Sequence, residues 1–175
     1  MSNIFFTSDL HFGHHNLINN LRHMTTEESD ELIISNWNKI VTKRDVVYIL
    51  GDLSMDKPDI VEDCLRQLKG TIKVILGNHD TFRICSKLVQ MGIKICSYME
   101  YDKFLLSHIP VHPSNLVQYK GNIHGHIHIP QAFNTEGLDL PKNKYFNVNC
   151  ELHNYTPISY DVIYQYFSQY EGSSI

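Results

Sequence analysis

The sequence predicts an α/β sandwich, and three observations carry that prediction. Short apolar runs rich in β-branched residues each stop at a Gly or Asp. Segments of helical periodicity separate them, and no linker, internal repeat or charge block divides the chain. The first strand is Ile4 to Thr7, entering a polar stretch at Ser8. The first helix is Glu28 to Val41, with Ile33, Trp37, Ile40 and Val41 on one stripe behind a Thr25-Thr26 start. Val46 to Leu50 is the second strand and ends at Gly51. The second helix begins at Pro58, carries Ile60, Val61, Cys64, Leu65 and Leu68 at helical spacing, and stops at Gly70. Thr71 to Leu76 is the third strand. A third helix follows Asp80-Thr81, runs through Ile84, Cys85, Leu88 and Val89, and stops at Gly92. Ile93 to Tyr98, Phe104 to Leu106, Asn122 to Ile127 and Tyr145 to Cys150 are strands joined by turns, which predicts a more antiparallel sheet in the second half. Pro130 to Asn143 is a predicted loop. A last helix, Ser159 to Tyr170, places Val162, Tyr166, Phe167 and Tyr170 along one side.

Length and composition bound the function classes. A chain of 175 residues is the size of one domain, 1–175, and leaves no room for a second catalytic module. With 42% hydrophobic and 19% charged residues it builds a packed core rather than a disordered chain. Net charge is −4 and no basic run occurs, which argues against a nucleic-acid partner held by its backbone charge. Cys64, Cys85, Cys96 and Cys150 lack paired spacing and read as core thiols of a reducing compartment. The opening Met-Ser-Asn-Ile-Phe-Phe-Thr-Ser-Asp has no signal-peptide character and no apolar run approaches a membrane span, so no membrane partner and a cytoplasmic location are expected. The oligomeric state is left open.

The 11 histidines are many for this length, and their placement is informative. Five polar signatures sit just beyond predicted strand ends: Asp9-Leu10-His11, Gly51-Asp52, Gly77-Asn78-His79-Asp80, Ser107-His108 and Gly125-His126-Ile127-His128. In open α/β sheets ligands bind outside the strand ends, so the five can converge on one crevice. Clustered Asp, His and Asn donors suit divalent ions, and the absence of thiolates argues against a structural zinc cage. On extended backbone, residues i and i+2 point the same way, so Asp9 with His11, and His126 with His128, can each aim two donors at one pocket.

These motifs, in this order, resemble the calcineurin-like metallophosphoesterase superfamily, whose signature reads D-x-H, G-D, G-N-H-D/E, H and G-H-x-H, and the resemblance spans residues 3 to 150. Phe12-Gly13-His14-His15-Asn16-Leu17-Ile18, Arg22 and Trp37-Asn38 further resemble small single-domain bacterial and phage members. The resemblance implies a four-layer αββα sandwich of two mixed sheets flanked by helices. It implies that Asp9, His11, Asp52 and His128 hold one divalent metal ion and Asp52, Asn78, His108 and His126 a second, with Asp52 bridging. Manganese is the expected ion, with zinc, iron or nickel as alternatives. Two such ions lower the pKa of a shared water towards neutrality and set it for in-line attack on phosphorus. His79 is then the candidate for protonating the leaving oxygen, Asp80 for orienting His79, and Arg22 and His14 for contacting substrate. For His14 a solvated first helical turn is the alternative reading. The chain departs from the protein phosphatases of the superfamily, having Gly51-Asp52-Leu53-Ser54-Met55-Asp56-Lys57 after the second motif and Asp80 where they carry Glu. Hydrolysis of a small phosphate ester is therefore expected, with phosphodiesters or nucleotides favoured. A nuclease and a non-catalytic binding module are the alternatives.

Overall fold

The computed structural model describes residues 2–55, 57–128 and 143–170, so the predicted loop 130–143 lies outside the described residues except for its last position. The elements in chain order are β1 (Ile4–Thr7), α1 (His15–Leu17) running into a π-helical turn (Ile18–Arg22), α2 (Thr26–Ile40), β2 (Val46–Leu50), α3 (Pro58–Gln67), β3 (Thr71–Ile75), α4 (Phe82–Gln90), β4 (Lys94–Cys96), β5 (Tyr98–Tyr101), β6 (Phe104–Ser107), β7 (Gly121–His124), β8 (Tyr145–Asn147), β9 (Ile158–Ser159) and α5 (Tyr160–Ser168). One sheet has the order β4-β3-β2-β1-β9, parallel except for β9, and the other the order β5-β6-β7-β8. Two mixed sheets with flanking helices result.

The alternation of side chains along a strand divides each strand of the first sheet between two cores. Phe5, Val47, Ile49 and Val74 face one way and pack with Ile33 and Trp37 of α2, Val61 and Leu65 of α3, and Ile84 and Leu88 of α4. Phe6, Tyr48, Leu50 and Ile75 face the other way and pack against Phe104, Leu106, Ile123 and Val148 of the second half. Trp37 is fully buried, and its indole N–H donates to the Lys69 carbonyl at 2.9 Å, so its polar edge is satisfied where its ring fills the core.

Three expectations are corrected. The second sheet is antiparallel only between β5 and β6; β6, β7 and β8 run parallel. The predicted strand 93–98 is split, with β4 on the edge of one sheet and β5 on the edge of the other. In the last helix the buried side chains are Ile163 and Phe167, whereas Val162 is 52% exposed, because the turn toward Phe104 and Gly121 selects a different stripe.

Candidate metal centre

The site is assembled where parallel strands end. β1 runs into Asp9 and His11, β2 into Asp52, β3 into Asn78 and His79, β6 into His108, and β7 into His126 and His128. The first two loops are zipped by main-chain bonds: Asp9 N donates to Gly51 O at 2.9 Å, His11 N to Asp52 O at 3.0 Å and Phe12 N to Leu53 O at 2.7 Å. Leu10 and Phe12, between and beyond the donors, are buried in the helix-side core and pin this segment. The third loop is tied down by Asp80, whose carboxylate accepts from Gly77 N at 2.8 Å, Asp52 N at 3.0 Å and Leu53 N at 2.9 Å.

The backbone here is not the extended chain that the i, i+2 argument assumed. Asp9, His11, Asp52 and His126 have φ of 58°, 49°, 57° and 71°, in the left-handed region that side-chain-bearing residues avoid. These turns, rather than strand alternation, aim the donors. They demand close approach of the neighbouring loops: a Cβ on Gly77 would lie 2.1 Å from Asp52 Oδ1 and one on Gly51 2.6 Å from the Gly77 main chain.

Two groups of donors result, the donor atoms within each lying within 4.8 Å of one another: Asp9, His11 and His128 in one, Asp52, His108 and His126 in the other. The two histidines of the last motif thus go to different groups. In the first, His11 Nε2 is 3.3 Å from His128 Nε2, which is 3.6 Å from Asp9 Oδ1. In the second, His108 Nε2 is 3.2 Å from Asp52 Oδ2, 3.0 Å from Asn78 Oδ1 and 3.3 Å from His126 Nδ1. Asp52 Oδ2 also lies 3.8 Å from His11 Nε2, so this one carboxylate stands between the groups.

The donor chemistry fits cations. His108 Nδ1 faces the Leu50 carbonyl at 2.7 Å, and a carbonyl only accepts, so the ring hydrogen is placed on Nδ1. Neutral His108 then turns a bare Nε2 lone pair toward an amide oxygen, a carboxylate oxygen and a second imidazole. His128 repeats the pattern, with Nδ1 at 2.6 Å from Glu151 Oε2 and Nε2 turned to Asp9 and His11. Convergent lone pairs without enough hydrogens between them suit divalent ions.

The electrostatics follow the burial. Burial pushes the Asp9 carboxyl up to about 6 against the pull of His108 and His128. Burial also opposes ionisation of Asp52, yet its bond to His108, with the neighbouring histidines, holds it down at about 2. His11 and His126 are lowered, chiefly by burial. His108 and His128 move up: burial works against the charge, and Asp52 for His108 and Glu151 for His128 outweigh it.

The other candidates fall differently. His79, with its side chain 39% exposed, stands beside the groups, Nε2 3.9 Å from Asp52 Oδ2, and its main-chain N donates to Asp52 Oδ1 at 2.9 Å. Asp80 accepts from three main-chain N–H groups and so clamps the turn from Gly77 to Asp80 that carries His79. The Arg22 expectation is corrected: its side chain is 0% exposed and its guanidinium bonds Glu151, Ser29 and the carbonyls of Leu10 and Asp9, so it faces the protein and not a substrate. His14 sits with its ring edge-on to His11, centroids 5.5 Å apart, while its Nδ1 accepts from Leu17 N and so caps the start of α1. Glu151 is the residue that the sequence reading missed. It belongs to no motif, and only the fold brings it to His128.

Comparison with known proteins agrees with this geometry. Residues 3–148 match the calcineurin-like phosphoesterase superfamily domain. The uncharacterized protein MJ1445 of Methanocaldococcus jannaschii is 37% identical over 168 residues, 93% of this chain and 90% of that protein. Gene 66 protein of Mycobacterium phage D29 is 33% identical over 130 residues, 63% of this chain and 65% of that protein. Among solved structures, the protein of unknown function AQ665 from Aquifex aeolicus superposes with a TM-score of 0.74 at 27% identity, covering 94% of this chain and 99% of its own. Nuclease MPE of Pseudomonas putida superposes with a TM-score of 0.51 at 20% identity, covering 71% of this chain and 61% of that one, a likeness of fold alone. With the domain match covering most of the chain, and the matched motifs supplying the two donor groups, the chain belongs to the calcineurin-like phosphoesterase superfamily.

Proposed function

We propose that this protein hydrolyses a small phosphate ester, phosphodiester or nucleotide ahead of simple monoester, with two divalent cations held by Asp9, His11, Asp52 and His128 and by Asp52, Asn78, His108 and His126. The observation that carries the reading is the position of Asp52 Oδ2, 3.2 Å from His108 Nε2 and 3.8 Å from His11 Nε2. Manganese is the expected pair of ions, and when bound they would supply Lewis acidity toward a phosphoryl oxygen and acidify a solvent molecule. The chain's own part is to keep the donors dry and aimed at one another. Asp9, His11, Asp52 and His108 are all buried, which strengthens every charge interaction among them. His79, the part-exposed imidazole at the edge of the groups, would give a proton to the leaving oxygen, a role that its exposure and its position 3.9 Å from Asp52 Oδ2 support. Four free thiols support a reducing, cytoplasmic setting.

Asp52→Asn tests the reading. With Mn²⁺ supplied, kcat/KM on a chromogenic diester is expected to fall more than about 1000-fold, several kcal/mol of transition-state stabilisation. Near-normal turnover by the variant would remove the proposal. A nuclease is the second reading, supported by the fold shared with nuclease MPE and opposed by the net charge of −4. Turnover of single-stranded or duplex DNA that collapses steeply with added salt, beside weak turnover of small diesters, is its signature.

A further inference from the structure

We infer that Glu151, braced by Arg22, is a positioning residue for one of the two cation positions, the one formed by Asp9, His11 and His128, and does not serve the other. The inference rests on the proposed metal-dependent reading and concerns residues that the signature motifs leave out.

Glu151 lies in the short 3₁₀ turn Cys150–His153 that follows β8. Its Oε2 is 2.6 Å from His128 Nδ1. A carboxylate only accepts, so the hydrogen stays on Nδ1 and the Nε2 lone pair is turned toward Asp9 and His11. The other oxygen, Oε1, accepts from Arg22 Nε at 2.8 Å and lies 2.6 Å from Arg22 Nη2. Arg22 arrives at the end of the π-helical turn and spends its remaining hydrogens on the same neighbourhood. Nη2 donates to Asp9 O at 2.7 Å, and Nη1 donates to Leu10 O at 3.0 Å and Ser29 Oγ at 2.9 Å. Cys150 adds a contact from Sγ to Asp9 O at 3.2 Å, and Asn147 ties β8 to the last motif by donating to Ile127 O at 2.8 Å.

One guanidinium thus grips the main chain of Asp9 and, through Glu151, the ring of His128. These are two of the three members of a single donor group. The other group is supported differently: the His108 ring is oriented by the neutral Leu50 carbonyl, and Asp52 is held by the His79 main chain. A carboxylate partner raises the donor strength of an imidazole more than a carbonyl does, and fixes its angle through a charge-assisted bond. Loss of that charge should therefore weaken one ion and spare the other. A merely structural role would lower both together.

The test is Mn²⁺ binding to the full-length wild type and to Glu151→Gln, which keeps the side chain's shape and leaves Arg22 an amide oxygen. Titration calorimetry of the wild type should show two binding events, and low-temperature electron paramagnetic resonance an exchange-coupled Mn²⁺ pair. In Glu151→Gln one event should keep its affinity while the other weakens about 10- to 100-fold. At an Mn²⁺ level that fills only the stronger position, the coupled signal should give way to the six-line spectrum of an isolated ion. Two events of unchanged affinity in Glu151→Gln, or equal weakening of both, overturn the inference while leaving the metal-dependent reading intact. If circular dichroism shows that Glu151→Gln does not fold, Glu151→Asp, which keeps the charge but draws it back by one methylene, is judged by the same criteria. A wild type that takes up no Mn²⁺ overturns the metal-dependent reading, and this inference with it.

Discussion

Asp52 joins the two donor groups through one side chain: one oxygen accepts from the His79 main chain while the other faces His108, His11 and the His79 ring. His79 stands apart from that web through its exposure, so its chemistry can be removed without dismantling the donors. His79→Ala should lower kcat about 10²- to 10⁴-fold, the usual contribution of a placed proton donor, while Mn²⁺ uptake by calorimetry stays near wild type. Loss of Mn²⁺ binding in that variant would reassign His79 to the metal ligands. At this scale the donors were legible in the sequence because each stands in a short motif behind a strand, where local spacing suffices. Arg22 and Glu151 were not, since a contact across 129 positions leaves no local trace and a buried guanidinium looks in sequence like an exposed one. Strand alternation pairs Asp9 with His11 correctly but for an insufficient reason, and it fails for His126 and His128, which go to different groups. Left-handed turns at Asp9, His11 and His126 do the aiming; Asp and His tolerate a positive φ better than most residues, yet that preference is too weak to locate the turns.

Among the elements, α2 shows how a local rule feeds the site. Thr25 Oγ1 accepts from Glu28 N at 3.1 Å while Glu28 Oε2 accepts from Thr25 N at 2.8 Å, a reciprocal cap that fixes where the helix starts. One turn on, Ser29 accepts from Arg22 and Asp30 from Gly13 N, so the start of α2 supports the segment carrying His11 and His14. Thr25→Ala should cost about 1 kcal/mol and lower the melting temperature by roughly 2–4 °C, read by thermal denaturation, with kcat unchanged. Helices and long strands were legible to within a few residues because apolar periodicity and Gly, Pro or Thr boundaries mark them. The direction of the second sheet was not. β7 and β8 are only four and three residues long, and such strands carry no sequence mark of parallel against antiparallel pairing; that is decided by what the chain does between them. The π-helical turn likewise has no periodic signature, yet it is what delivers Arg22.

The whole molecule carries the cost of its site in its dependence on pH. Burial raises Asp9 and Asp30 to about 6, above their ordinary 3.8, so each favours the fold when protonated and that contribution is lost as pH rises through about 6. His108 and His128, raised above 6.5 once Asp52 and Glu151 overcome the effect of burial, act in the same direction, their contribution fading as they lose their protons. Asp52 opposes, contributing above 3.8 and failing only toward about 2. His11, His124 and His126, lowered chiefly by burial, act the other way: the unfolded chain takes up their protons first, so they favour the fold above 6.5 and oppose it as pH falls. In scanning calorimetry of chelator-treated protein at pH 7.5, Mn²⁺ at about 100 times its dissociation constant should add roughly 2.7 kcal/mol for each position that it fills, some 5–10 °C apiece. The gain should shrink toward pH 5.5, where protons compete for the same imidazoles. A melting temperature indifferent to Mn²⁺ at pH 7.5 would count against the donor groups as cation sites.

The left-handed conformation at Asp9, His11, Asp52 and His126 bears on how such a chain decays. Glycine would relax each of these positions by about 1–2 kcal/mol and would also delete a donor. Mutational drift that rewards only cellular abundance would therefore erode the chemistry first and leave a sturdier, inert scaffold behind. Glycine at these four places in a descendant would mark a fold that has outlived its trade.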